Sequence, residues 1–248
     1  MRYQGGKYMI ARRLTEAILN DTDQRGDYYE PFIGGGSMAA QMGHHFDRAH
    51  YSDLHGPLIL MWQAAHAGFI MHGDPGHFFP TDITRADYDY HKQHQPHSPA
   101  TALIGFGSAF GGKYYGSYVG NRLENKSTNT FSQNALTAVV RKSKNMLARQ
   151  TTTFTHCPYE QVDPHPGAVI YCDPPYQGTT GYTLGNFDHA KFWEWCRTQA
   201  RRGCKIYISE YQAPDDFTCI YEVKKRVTLN QADNTKTAIE RLYTYTPR

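Results

Sequence analysis

The chain has 248 residues, 40% of them hydrophobic and 14% aromatic, and a formal charge of +3 at pH 7. That length and apolar share support one large domain, or a domain carrying an insert, and exclude global disorder. The five cysteines are an odd number without a CxxC pair, and the thirteen histidines are scattered without an HExxH motif; this argues against a disulfide framework or a metal site and fits a reducing compartment.

The first residues, Met1 to Lys7, show no apolar core of a signal peptide, and no stretch approaches the ~18 uninterrupted apolar residues of a membrane span. Tyr8 to Leu19 has apolar residues on one helical face. A short strand, Asp27 to Phe32, is broken by the glycines of "IGGGS", and Ser37 is expected to cap a helix after it. Ala49 to Asp53 reads as a second strand ending in an acid, followed by a helix near Pro57. From His72 the texture changes. A Gly/Pro/His-rich stretch precedes a polar helix capped by Thr84, a helix starting at Pro99, an aperiodic aromatic and polar loop, and a helix capped by Ser132. Strands then resume at Thr151 to Cys157, Ala168 to Cys172 and Cys204 to Ser209, with a helix from Asp188 to Arg202. Residues Cys219 to Tyr245 alternate as an antiparallel pair. Strands alternating with helices predict a doubly wound α/β sheet, divided into a sheet domain of residues 1–64 and 150–248 and an insert of residues 65–149.

Two strand ends carry chemistry. The turn in "YYEPFIGGGS" lets a ligand approach the main chain closely and leads into a helix N-terminus. Asp53, about 20 residues on, stands where nucleotide-type sites place an acid for ribose hydroxyls. The spacing is neither GxGxxG nor a Walker motif, so the expected ligand carries a ribose without requiring a pyrophosphate. The second strand end is Asp173-Pro174-Pro175-Tyr176. Two prolines fix a rigid turn and remove its N–H groups. What remains on offer is the Asp173 carboxylate, the Pro174 carbonyl and the Tyr176 ring, a set that suits a planar exocyclic amine with two donors and a stacking face.

In this order, "RYQGGK", "EPFIGGGS", "SD" and "DPPY", with "ISEY" later, resemble the Dam-type DNA adenine-N6 methyltransferases. The resemblance implies a Rossmann-like sheet that uses S-adenosylmethionine (SAM), with an inserted, mostly helical target-recognition domain. It implies cofactor contacts at Tyr3, Lys7, Glu30, Phe32, Gly34, Gly36, Asp53, Tyr159 and Asp173, with Lys7 meeting the methionine carboxylate. The catalytic turn would be Asp173, Pro174, Pro175 and Tyr176, with a second aromatic wall from Phe187, Tyr182 or Tyr211. The reaction implied is direct methyl transfer to a flipped base, with no covalent intermediate and no metal, by a monomeric cytoplasmic enzyme of bacterial or phage origin. Two positions depart from the family pattern: His55 stands where Asn is frequent, and Pro158 stands where an acid usually grips the SAM adenine.

Residues 101–150 hold seven basic residues against Glu124 alone, so the rest of the chain is net negative. Basic residues interleaved with aromatics and amides are what phosphate and base-edge contacts need, and double-stranded DNA is the expected partner. "FGSAFGGKYYGSY" resembles the family's target-recognition hairpin, which places Lys113, Tyr114, Tyr115 and Arg122 near DNA. Lys126 and a helix face of Lys142, Asn145 and Arg149 extend the basic surface. Alternatives are cytosine-N4 methylation, methylation of RNA or protein glutamine, and an inactive DNA-binding homologue. The first two more often carry SPP(Y/W) or NPPY; the last is disfavoured by intact Tyr3, Lys7, Asp53 and Asp173.

Overall fold

The computed structural model describes residue 3 and residues 5–119, 130–177, 187–226 and 237–247. Arg122, Lys126 and Tyr182 lie outside them. Seven strands form one sheet: β1 (Asp27–Glu30), β2 (Arg48–Asp53), β3 (Thr151–His156), β4 (Val169–Cys172), β5 (Lys205–Glu210), β6 (Thr218–Arg226) and β7 (Thr237–Thr244). Their order is β3-β2-β1-β4-β5-β7-β6. The first five are parallel, and β7 enters antiparallel between β5 and β6. This is the Rossmann-like, doubly wound α/β sheet the sequence predicts, with an antiparallel pair at one edge. Strand β4 is buried along its whole length, as a central parallel strand covered on both faces must be.

The helices are α1 (Ala11–Asp21), α2 (Ala39–Met42), α3 (Gly56–His72), α4 (Arg85–His94), α5 (Pro99–Gly107), α6 (Thr130–Asn145) and α7 (His189–Arg201). Several start where their cap chemistry requires. Thr84 forms a capping box with Asp87, Ser98 accepts from the Ala100 N–H, and Asp188 accepts from the Lys191 N–H. Two expected caps are absent. Helix α6 begins at Thr130, so Ser132 lies inside it. Ser37 caps nothing: α2 starts two residues later without a side-chain cap, and the Ser37 hydroxyl has another partner, described below.

The boundary at residue 65 falls inside α3, whose one helix serves both regions. Helices α5 and α6 pack on α3, and one apolar cluster runs from Tyr28, Ala49 and Tyr51 of the sheet through Trp62 to Leu103, Phe106 and Val139. The segment between β2 and β3 therefore shares the core of the sheet. Register aligns Glu30 with Tyr51 and Cys172 with Ile208, which brings the carboxyl ends of β1, β2, β4 and β5 to one edge. Strand β1 lies between β2 and β4, where the strand order reverses, the position at which open α/β sheets bind ligands. Among the described residues no helix is long and apolar enough to cross a membrane.

Candidate active site

A cavity of about 510 Å³ opens at that edge. One wall is the turn after β1. Gly34 and Gly36 both have positive φ, of 45° and 64°, which favours glycine. The positions are also sterically closed: a Cβ on Gly34 would lie 2.9 Å from the Tyr3 ring, and one on Gly36 would meet the Met146 methyl and the Trp62 indole. Asp53 at the end of β2 ties the turn down. Its Oδ2 accepts the Gly34 N–H at 2.9 Å and its Oδ1 accepts the His55 N–H at 2.9 Å. Burial pushes the Asp53 carboxyl up to about 6, against the pull of those N–H donors. Trp62 of α3 donates to the Gly34 carbonyl at 3.1 Å. Tyr3 leans on the turn with its ring 4.9 Å from Phe106.

His55 follows Asp53 where the family often has Asn. It works as a helix cap: its Nδ1 accepts the Leu58 N–H of α3. Burial lowers its pKa to about 4, so the ring is neutral near pH 7, and it packs edge-on against Tyr114 at 4.4 Å. Glu30, buried at the end of β1, lines the same wall and accepts from the Tyr28 hydroxyl at 2.8 Å. Burial holds its carboxyl well above the ordinary range.

An aromatic wall closes one side. Phe32 lies 5.6 Å from Tyr159 and 5.9 Å from Phe187, ring centre to ring centre. Pro158 lines this wall, so no acid stands at that position, but Glu160 and Asp188 do line it, and Glu160 pairs with Lys191 at 3.0 Å. Sequence reading at position 158 passed over both acids, which only the fold brings to the same wall.

The opposite wall is the Asp173-Pro174-Pro175-Tyr176 turn after β4, from which Asp173 and Pro175 line the cavity. Lys7, buried to 3% exposure, donates to Asp173 Oδ1 at 2.6 Å and lies 3.2 Å from Glu240 Oε1. Burial by itself would lower the Lys7 pKa, but the two carboxylates outweigh it and hold the ammonium above its ordinary value. The same ammonium sits 4.6 Å over the Tyr176 ring, and the Tyr176 hydroxyl donates to Glu240. Tyr211 meets Tyr176 edge-on at 4.8 Å, while Phe187 belongs to the other wall. Glu210, at the end of β5, accepts from the Tyr211 and Gln177 N–H groups, and burial raises it to about 7.

Glu240 was missed in the sequence because no motif surrounds it. Its signal is positional: in strand β7 it shares a face with fully buried Leu242, where an acid needs a partner.

The residues expected at DNA divide. Lys113 is exposed at the cavity rim, and Tyr114 lines it, with its ring on Phe106 and its hydroxyl donating to Gln95 at 2.6 Å. Tyr115 is a correction. It is 8% exposed, its hydroxyl donates to the Thr101 carbonyl, and Gly105 leaves space for its ring, so it packs in the core. Lys142 is a second correction. It is 6% exposed, and its ammonium donates to the Gly35 carbonyl and to Ser37 Oγ, the latter at 3.0 Å. Alpha-helical phase explains it. Lys142 follows Ala135 and Val139 and precedes Met146 on the buried stripe, so it faces inward, while Arg141 and Lys144 face solvent. Arg149 lies past the end of α6 and pairs with Asp47 at 3.4 Å.

The family model of the D12 class N6 adenine-specific DNA methyltransferases matches residues 3–95. Solved structures of low similarity include the rRNA methyltransferase AviRa of Streptomyces viridochromogenes, at 11% identity and a TM-score of 0.44, which covers 97% of this chain and 86% of its own. A protein described as a methylase from Haemophilus influenzae has 11% identity and a TM-score of 0.35, over 95% of this chain and 89% of that one. A protein described as a methyltransferase from Escherichia coli has 11% identity and a TM-score of 0.36, over 95% and 86%. A comparison with curated proteins finds no match. The residues of the cavity suit SAM. A glycine turn with no room for side chains faces an acid suited to ribose hydroxyls, and an aromatic wall offers a stacking surface. Over residues 3–95, somewhat over a third of the chain, the protein is similar to the D12 class N6 adenine-specific DNA methyltransferases, and the glycine turn and Asp53 of the cavity fall within that stretch.

Proposed function

We propose that the protein methylates the N6 amine of adenine in double-stranded DNA, on a base turned out of the helix. The observation that carries this reading is the acid at the start of the rigid Pro-Pro turn, held by Lys7 and facing a cavity whose other end suits SAM. SAM supplies the methyl group as an electrophilic sulfonium.

Asp173 and the Pro174 carbonyl accept the two N–H bonds of the amine, which draws its lone pair out of conjugation and toward the methyl carbon. Their worth lies in being fixed beforehand, so no reorganisation is needed as charge develops. After transfer the amine nitrogen bears one proton too many, and Asp173, already accepting a hydrogen bond from it, takes that proton. Tyr3, Lys7, Glu30, Phe32, Gly34, Gly36, Asp53 and Tyr159 form the cofactor end. Asp53 takes the ribose hydroxyls, and Phe32 and Tyr159 flank the cofactor's adenine, with Glu160 and Asp188 as the acids within reach of its amine.

At the rim, Lys113 and Tyr114 meet DNA, and the exposed Arg141 and Lys144 of α6 add phosphate contacts. Arg122 and Lys126 belong to the same basic segment of the sequence. Asp rather than Ser or Asn at position 173, and the net charge of residues 101–150, favour adenine in DNA over cytosine, RNA or protein.

Incubation with methyl-tritiated SAM and unmethylated DNA, followed by hydrolysis to nucleosides, tests the reading. Label is expected in N6-methyldeoxyadenosine. Label in N4-methyldeoxycytidine, in RNA or protein only, or in nothing, overturns it.

A further inference from the structure

Lys142 is a buried lysine that comes from the segment between β2 and β3 and ends on the glycine turn of the sheet. Among the described residues it forms no ion pair: its two acceptors, the Gly35 carbonyl and the Ser37 hydroxyl, are neutral. Burying an ammonium against neutral acceptors is costly, so a lysine held this way stabilises the fold less well than an apolar side chain of the same shape would. Burial lowers its pKa to about 8, with Arg141 acting in the same direction and Glu30 opposing. The residue thus asks for a reason beyond packing.

The surrounding contacts show where the ammonium acts. Gly35 and Ser37 both line the cavity. Met146, the residue just past the end of α6, grips the same loop from behind. The Met146 methyl occupies the space a Cβ on Gly36 would need, and the Met146 carbonyl accepts from Tyr51 of β2 at 2.8 Å. The glycine turn is therefore held at three points: by Asp53 at the Gly34 N–H, by Trp62 at the Gly34 carbonyl, and by Lys142 at Gly35 and Ser37. The first two come from β2 and α3. The third comes from a helix that sequence reading assigns to DNA recognition.

We propose that Lys142 is a positioning residue of the cofactor turn. Its ammonium fixes the Gly35–Ser37 backbone in the shape that receives SAM, and it places a positive charge behind the turn that favours the cofactor's carboxylate. The helix carrying it completes the cofactor site, so residues 65–149 do more than recognise DNA. This rests on the reading that the glycine turn binds SAM.

The test is calorimetric binding of S-adenosylhomocysteine, and of a DNA duplex, to wild type, Lys142→Met and Ser37→Ala, with the melting temperature of each. Lys142→Met keeps the stem and removes the charge. Loss of a charged hydrogen bond predicts a cofactor Kd raised about tenfold or more in Lys142→Met and about threefold or more in Ser37→Ala. In turnover at saturating DNA, the KM for SAM rises with kcat largely kept. A packing role alone would be kept by the methionine stem, and the affinity of the folded protein would stay unchanged whichever way the melting temperature moved. Unchanged affinity in Lys142→Met overturns the proposal, and so does a loss confined to DNA binding. Should Lys142→Met fail to fold, unchanged affinity in Ser37→Ala overturns it instead. If wild type itself binds no S-adenosylhomocysteine, the cofactor reading of the turn falls, a result distinct from the others.

Discussion

Two buried lysines, Lys7 and Lys142, hold the two turns that face each other across the cavity, and they do so in opposite electrostatic settings. Lys7 lies between Asp173 and Glu240, whose charges outweigh the burial penalty and keep it ionised. Lys142 meets a carbonyl and a hydroxyl, and burial wins, so that its pKa falls to about 8. The difference teaches what each turn needs. The acidic turn presents a carboxylate, and a paired cation 2.6 Å away keeps it aimed. The glycine turn presents backbone, and it can be fixed only by groups that bond to peptide atoms: Asp53, Trp62 and Lys142.

Among substitutions that act on one turn and spare the other, the largest effect is expected at Lys7. Lys7→Met leaves half-buried Asp173 and buried Glu240 without the cation they share; losing one member of a buried charged set costs about 3–5 kcal/mol, read as a lowered midpoint in urea unfolding at pH 7.5. A midpoint equal to wild type would mean that the acids do not need it. Asp173→Ala removes the proposed acceptor but leaves Lys7 paired with Glu240. Methyl transfer should fall about a hundredfold to a thousandfold, the scale of losing one preorganised electrostatic contact, while S-adenosylhomocysteine still binds. Retained activity would remove Asp173 from the mechanism.

Gly36→Ala sharpens the other side. It forces a Cβ at positive φ toward Met146 and Trp62, a strain of about 1–3 kcal/mol, and circular-dichroism melting should show a lower midpoint. The smallest effect is pH dependence. Burial raises Asp53 to about 6, so above pH 7 it is ionised and accepts hydrogen bonds, and as pH falls through 6 it gains a proton. Cofactor affinity should be highest between about pH 6 and 8, weaken above 8 as Lys142 loses its proton, and weaken below 6, approaching about tenfold per pH unit. His55, at about 4, stays neutral through this window. Asp53→Asn should weaken binding and flatten the acid limb of the profile; an unchanged acid limb would assign the titration elsewhere, with Glu210, near 7, the first group to examine.

The sheet was legible in the sequence because its signals are local. Alternation marked β6 and β7, an apolar run marked β4, and the polar breakers after β1 and β4 marked the turns that line the cavity. Cap chemistry placed α4, α5 and α7 within a residue or two. It failed at Ser37 and Ser132, where the hydroxyl's true partner, or the helix's true start, depends on distant chain. The basic segment was legible as a charge excess. Which of its cations faces outward was a matter of helical phase. Lys142 continues the stripe of Ala135, Val139 and Met146, and it turns inward for the same reason those residues do.

By itself, the sequence determined the order of elements, the glycine turn, the acid at Asp53 and the rigid Asp173 turn, because each is set by backbone permissiveness or by residues adjacent in the chain. Only the tertiary structure decided what holds those turns. Lys7 from the start of the chain and Glu240 from near its end meet at Asp173, and Lys142, far downstream, closes on Gly35. A buried charge takes whichever partner the packed fold brings within about 3 Å, and no local pattern encodes that partner.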